Sequence, residues 1–283
     1  RFLEAERERP WFIWWAPSLP HTPHRPPVRF QKRFEDVEVP IPPYYQGEAE
    51  PYVEAERALL GMDSWLDAEF GQLLDKLDEL GEREQTLIVF LSDNGWSTPL
   101  PSKSSPFEKG VRSPLVFSLP AADAARAPRK VEALVDLVDV TATLLDYAGT
   151  TDEAAPGRSL RPWLEGGTGP SRELLCGAAY RRMGAGGPAD FAYALYARDA
   201  RWKYVLFLQN LGQEALTPGS KVANPWRGRA GKELLFDLSA DPFELADLSK
   251  AEAQAERKAA LRAGALEWWK TSGGGELVLP EGR

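Results

Sequence analysis

Thr86-Leu87-Ile88-Val89-Phe90-Leu91-Ser92-Asp93-Asn94-Gly95-Trp96 reads as a strand that ends in a turn. The apolar run with β-branched Ile88 and Val89 matches a strand buried on both faces, as in a parallel sheet. Asp-Asn-Gly is turn chemistry at its carboxyl end, which is where open α/β sheets bind ligands. Asp93 and Asn94 place two hard oxygen donors side by side there, an arrangement that suits a hard metal ion. The same residues also make an ordinary tight turn in which Asp and Asn bond their own backbone, and locally that is the commoner reading.

The flanking segments give the class. Upstream, Tyr52, Ala55, Leu59, Met62, Leu66, Phe70, Leu73, Leu77 and Leu80 recur at spacings of three and four, which predicts a helix over 52–80 with Gly81 as its stop. Downstream, Pro114-Leu115-Val116-Phe117-Ser118-Leu119 predicts a second short strand, and residues 131–147 a helix ended by Gly149. Asp136 and Asp139 on that helix are expected to be exposed or capping charges, with burial beside the sheet the alternative. Helix, strand, loop, strand, helix is an α/β order.

Towards the amino end, residues 2–9 read as the end of a helix and Trp11-Phe12-Ile13-Trp14-Trp15-Ala16 as an aromatic strand. That strand feeds a proline-dense loop over 17–43, long enough to suggest a functional role. Gly166-Gly167-Thr168-Gly169-Pro170 is the candidate boundary between a domain over 1–166 and another over 167–283. Beyond it come short β-prone runs at 174–180, 191–197, 202–208 and 233–238. A hairpin about Asp199-Ala200, a helix over 251–270 and a loosely held tail follow. This texture predicts a small antiparallel sheet packed with a helix.

Composition narrows the function classes. The formal net charge is -8 and no basic stripe follows any predicted helix, so nothing points to a nucleic-acid partner. The most apolar early run, 11–19, is broken by Pro17 and is too short for a membrane span. Arg1 opens the sequence with no leader pattern after it, so the chain is expected to be part of a longer product. Cys176 is the single cysteine, cannot form an internal disulfide and leaves the redox compartment open.

His21 and His24 are the only histidines, and with one distant cysteine they cannot complete a zinc site. In a loop after an aromatic strand they suit hydrogen bonding or acid/base work, although an exposed loop histidine is the commoner case. Between Ser102 and Pro114 the loop holds three cations, Lys103, Lys109 and Arg112. A lysine ammonium suits an anionic group, and Glu108 is expected to pair with Arg112 to fix the loop. Oxygen ligands, a histidine and a lysine at one sheet edge would together bind and polarise a tetrahedral oxyanion.

The order Pro20-His21-Thr22-Pro23, Ser92-Asp93-Asn94-Gly95, Lys103-x4-Glu108-x-Gly110-x-Arg112-x-Pro114 and Gly157-Arg158-Ser159-Leu160 resembles the type I sulfatases of the alkaline phosphatase superfamily. Leu234-Leu235-Phe236-Asp237-Leu238 followed by Asp241-Pro242-Phe243-Glu244 continues the resemblance, which spans about 10–248. It implies an alkaline-phosphatase-like α/β sandwich around a mainly parallel sheet, with a small C-terminal antiparallel sheet and helix. It also implies calcium-dependent hydrolysis of aryl or glycan sulfate esters. Carried over by position, Asp93 and Asn94 are calcium ligands, with magnesium the lesser choice. Lys103 binds sulfate oxygens, and His21 bonds the sulfate and assists the leaving alkoxide. Asn94 favours calcium or magnesium over zinc or manganese, because an amide oxygen stands where related phosphate and phosphonate hydrolases tend to place histidine.

The pattern departs from the family in one respect. The formylglycine nucleophile arises from a Cys/Ser-x-Pro-Ser-Arg motif, which does not occur among these 283 residues. Cys176, followed by Gly-Ala-Ala-Tyr-Arg, reads as a core or strand residue. The expectation is therefore the C-terminal portion of a sulfatase, inactive by itself, with its nucleophile upstream and a periplasmic or secreted location. The alternatives are a phosphate or phosphonate ester hydrolase of the same superfamily and a non-catalytic remnant that binds sulfated glycans.

Overall fold

The computed structural model describes residues 2–5, 8–43, 45, 47–95, 103, 105–120, 128–180, 192–210 and 230–277. Trp96, Ser102, Ser104, Phe191 and the last six residues of the tail lie outside them. The chain forms two compact units, Arg1–Ile88 with Ser118–Ala125, and Val89–Phe117 with Arg126–Arg283.

The first unit is built on the long helix α2 (Ala49–Glu79). It buries Tyr52, Leu59, Met62 and Leu77, four of the residues whose spacing predicted it. It ends because Gly81 adopts φ 68°, which lets Glu82 N–H reach the Leu77 carbonyl at 2.9 Å and closes the last turn. The proline-dense segment carries a short helix, α1 (Val28–Gln31), and is pinned to α2. Phe30 is buried and stacks on Trp65, Arg33 Nη1 donates to Ser64 Oγ at 2.9 Å, and Arg57 donates twice to the Val37 carbonyl. Gly61 is required there, since a Cβ would meet Pro26 Cγ at 2.7 Å.

Two amino-terminal expectations change. Residues 2–5 form turns rather than a helix, and residues 11–16 run without strand pairing among the described residues. Phe12 and Trp14 are 65% and 73% exposed, while Trp15 stacks on Phe70 of α2. Aromatic and β-branched composition supplies strand propensity, but a strand exists only where a neighbour accepts its backbone hydrogen bonds.

β1 (Ile88–Leu91) pairs with β2 (Leu115–Ser118), both lying in the second unit except for Ile88 and Ser118. Ser92 N–H donates to the Pro114 carbonyl and Gly95 N–H to the Gly110 carbonyl, so the end of β1 meets the start of β2 and the two run in opposite directions. Between them lies the one-turn helix α3 (Glu108–Val111). The parallel part of the expected sheet is not seen among the described residues. The predicted helix over 131–147 starts later, as α4 (Val138–Tyr147), and stops at Gly149 with φ 72°.

Asp136 and Asp139 cap the helix at this later start, Asp136 Oδ1 accepting Val138 N–H at 3.3 Å, and of the expected alternatives Asp139 is capping and buried rather than exposed. It is wholly buried, and its carboxylate accepts Asp136 N–H at 2.8 Å, Arg158 N–H at 2.8 Å and both terminal nitrogens of Arg172. The Gly157-Arg158-Ser159-Leu160 motif thereby wraps α4: Leu160 N–H bonds Thr143 Oγ1 at 2.8 Å, and a Cβ at Gly157 would lie 2.1 Å from the Val138 carbonyl. The short helix α5 (Arg161–Leu164) follows directly.

The antiparallel sheet expected near the carboxyl end is present, ordered β3-β4-β5-β6. Its strands are β3 (Leu175–Tyr180), β4 (Ala192–Arg198), β5 (Trp202–Phe207) and β6 (Glu233–Asp237). The β4–β5 hairpin turns at Asp199-Ala200, where Asp199 Oδ1 accepts Arg201 N–H at 2.7 Å and Trp202 N–H at 2.6 Å. Every residue of β5 is buried, so both faces are covered. Trp202, Tyr204 and Leu206 pack with Leu261, Ala265 and Trp269 of α6 (Ala255–Thr271), while Val205 and Phe207 pack with Phe107 and Phe236. Cys176 sits on β3, half-buried against the α6 side, where burial pushes its thiol up to about 11. It is therefore expected to react with a disulfide reagent at pH 8 far more slowly in the folded chain than in denaturant, and equal rates would contradict this placement. Among the described residues no helix is long and apolar enough to cross a membrane.

Candidate functional site

The turn after β1 is built by its neighbours rather than by its own carboxylate. Ser92 Oγ donates to the Asn94 carbonyl at 2.8 Å, and Gly95 N–H donates to the Gly110 carbonyl of α3 at 2.9 Å. Gly95 lies so close to α3 that a Cβ there would be 2.2 Å from the Lys109 carbonyl oxygen. The self-bonded turn that the local sequence favours is thus not what forms. Among the described residues, neither the Asp93 nor the Asn94 side chain bonds to the turn's backbone. Asp93 is exposed and Asn94 half-buried.

Lys103 lies in a turn five residues before α3 and is half-buried. The pair expected between Glu108 and Arg112 is replaced by a stronger one. Glu108 Oε2 is 2.5 Å from Arg198 Nη1, and Glu108 Oε1 is 3.0 Å from Lys203 Nζ. Lys203 has no exposed side-chain surface and also lies 3.4 Å from Glu244 Oε1, while Glu244 Oε2 accepts the Glu108 N–H at 2.7 Å. Burial works to raise the Glu108 carboxyl, but Lys203 and Arg198 outweigh it and hold the group below its ordinary value. Burial raises Glu244, which has fewer compensating contacts.

Lys203 and Arg198 were not among the residues singled out from sequence, and Glu244 entered only as the end of Asp241-Pro242-Phe243-Glu244, with no role attached. A signal did exist for Lys203: it stands inside Trp202-Lys203-Tyr204-Val205-Leu206-Phe207, and a lysine inside a strand buried on both faces needs a carboxylate partner. The identity of that partner, 95 residues away in the chain, was not legible.

His21 belongs to the first unit, whereas Asp93, Asn94 and Lys103 belong to the second. The His21 ring is exposed, with Nδ1 2.9 Å from the Thr22 carbonyl. The carbonyl accepts when Nδ1 carries the hydrogen, and Thr22 Oγ1 lies 3.4 Å from the same nitrogen, so Nε2 is the nitrogen left for exchange with a ligand. His24 is half-buried, and burial followed by the charge of His21 holds its imidazole below the ordinary value.

Asp93 and Asn94 fit a hard cation in donor type, since calcium and magnesium take carboxylate and amide oxygens. They fall short in number, because calcium takes about six to eight oxygens and no group of three or more His, Cys, Asp or Glu side chains converges among the described residues.

The Sulfatase family model matches residues 1–150, more than half of the chain. The chain belongs to the sulfatase family. The choline-sulfatase of Rhizobium meliloti (strain 1021) is 27% identical over 281 residues, covering 87% of this chain and 48% of that protein. The arylsulfatase of Clostridium perfringens (strain 13 / Type A) is 24% identical over 283 residues, covering 88% and 51%. Among solved structures, BT1596, a 2-O GAG sulfatase, superposes with a TM-score of 0.64 at 19% identity over 82% of this chain and 47% of its own. The phosphonate monoester hydrolase of Agrobacterium radiobacter gives 0.62 at 25% identity, covering 80% and 43%. This sulfatase-family chain spans about half the length of the curated relatives it matches. It shares the alkaline-phosphatase-like α/β fold of these structures.

Proposed function

We propose that the polypeptide carrying this chain hydrolyses sulfate esters, and that Asp93, Asn94, Lys103 and His21 are this chain's contribution to the site. The observation that carries the reading is the Ser92–Gly95 turn of a sulfatase-family chain, seated on α3 with both side-chain oxygens left off the turn's backbone. In this reading Lys103 binds and orients the sulfate oxygens as a compact point charge. His21, oriented by the Thr22 carbonyl, gives the departing alkoxide the Nε2 proton of its doubly protonated ring and is left in the Nδ1–H form. A calcium ion held in part by Asp93 and Asn94, with magnesium the lesser choice, would supply Lewis acidity at the sulfate. The formylglycine nucleophile is proposed to lie outside these 283 residues, so the chain by itself is proposed to be inactive. An aryl or glycan sulfate is the proposed substrate class, and a secreted or periplasmic location is proposed with it.

The second reading, a phosphonate or phosphate ester hydrolase, is favoured by the likeness to a phosphonate monoester hydrolase. Asn94 argues against it, because an amide oxygen at this position prefers calcium to zinc or manganese. Turnover of the sulfate and phosphate esters of one phenol by the complete polypeptide, with calcium and then manganese, separates the two. Faster sulfate hydrolysis with calcium is expected; predominant phosphatase activity with manganese would overturn the sulfatase reading.

A further inference from the structure

Glu244 stands at the end of Asp241-Pro242-Phe243-Glu244 with φ 57°, the only described residue other than glycine with a positive φ. Side chains rarely adopt that backbone and keep it only where the surroundings impose it. Here the turn is tied by Glu244 N–H to the Asp241 carbonyl and by Ala246 N–H to Asp241 Oδ2 at 2.7 Å. Its consequence is a side chain turned inward and only 2% exposed.

That side chain holds α3 at its start. Glu244 Oε2 accepts the first amide of the helix, Glu108 N–H, while Lys203 and Arg198 take both oxygens of the Glu108 side chain. A helix of one turn cannot form stably by itself, so its position is set by what grips it. The grip comes from the sheet: Arg198 and Lys203 are cross-strand partners on β4 and β5, and Glu244 follows β6. The far end of α3 then accepts Gly95 N–H through the Gly110 carbonyl, at a contact with no room for a Cβ. Close-packed groups of this kind move together or not at all.

We propose that Glu244 is a positioning residue, which fixes α3 and through it the Asp93-Asn94 turn. The C-terminal sheet thereby sets the metal-side geometry of the site without touching a ligand. The effect on turnover rests on the sulfatase reading; the effect on α3 does not. The informative variant is Glu244→Gly, because glycine accepts the positive φ and so removes the side chain without adding backbone strain. Glu244→Gln is its counterpart, since an amide oxygen can still accept the Glu108 N–H.

Amide hydrogen exchange on the complete polypeptide is expected to show Glu108 and Gly95 exchanging at least about tenfold faster in Glu244→Gly, with Val205 and Leu235 unchanged. Glu244→Gln is expected to recover most of that protection. The same series should lower kcat for a sulfate ester about tenfold in the glycine variant, with partial rescue in the glutamine variant. Unchanged exchange at Glu108 and Gly95, or equal acceleration throughout β5 and β6, would overturn the proposal. Faster exchange with unchanged kcat would remove the link to the site. An unmutated polypeptide without sulfate-ester turnover would overturn the sulfatase reading and leave the exchange data to decide the positioning role.

Discussion

Lys103→Ala is expected to lower kcat/KM for a sulfate ester by about 10²–10³ in the complete polypeptide, the usual loss when one charge-stabilising group is removed from a transferring oxyanion. Lys103→Arg should retain part of the activity, because the charge persists while the compact point contact is lost. His21→Ala should behave differently. A proton donor to the leaving alkoxide matters most when that alkoxide is basic, so the loss should be larger for an alkyl sulfate than for a nitrophenyl sulfate. Activity within threefold of the unmutated protein for both alanine variants would show that neither residue has the assigned role.

The second large effect concerns stability. Lys203→Met leaves Glu108 and Glu244 buried with Arg198 as the remaining close cation, and breaking a buried ion pair in this way typically costs about 3–5 kcal/mol. Its pH dependence carries a sign that distinguishes it from a simple packing defect. In the unmutated chain the Glu108 carboxyl is depressed by Lys203 and Arg198 against the opposing push of burial. A depressed carboxylate contributes stability that is present above its unfolded value, about 4.3, and is lost as pH falls through the lower folded value. Without Lys203, burial prevails and both carboxyls prefer to be protonated. The variant should then lose stability as pH rises and regain it in acid. The gap between the two proteins is thus expected to shrink between pH 6 and pH 4 in urea titrations followed by tryptophan fluorescence. A gap that stays constant over that range would exclude the charge explanation.

Much of the local structure was legible because short-range physics determines it. The three-and-four spacing of Leu59, Met62 and Leu77 gave α2, and Gly81 and Gly149 marked helix ends where a positive φ is needed. Asp199-Ala200 gave the hairpin, since Asp199 bonds the amides of Arg201 and Trp202 within its own turn. Family membership was legible as a linear order of motifs, which is also what puts Asp93, Asn94, Lys103 and His21 forward as the proposed site residues.

Long-range pairing was decided by the tertiary structure. Sequence alone left Asp139 exposed, capping or buried, and only its packing against Arg172 and the Arg158 amide decided for burial. It favoured a strand at Trp11-Phe12-Ile13, but propensity supplies no hydrogen-bonding neighbour, and none pairs with that segment among the described residues. It paired Glu108 with nearby Arg112, whereas the fold gives Glu108 to Arg198 and Lys203. The sequence by itself determined the long helix, the end of the 138–147 helix and the C-terminal hairpin, and it supplied the residues proposed for a sulfate site. Only the tertiary structure decided which charges are buried, and therefore which must find distant partners. A charge removed from water needs a counter-charge in space, and sequence separation says nothing about where that partner lies.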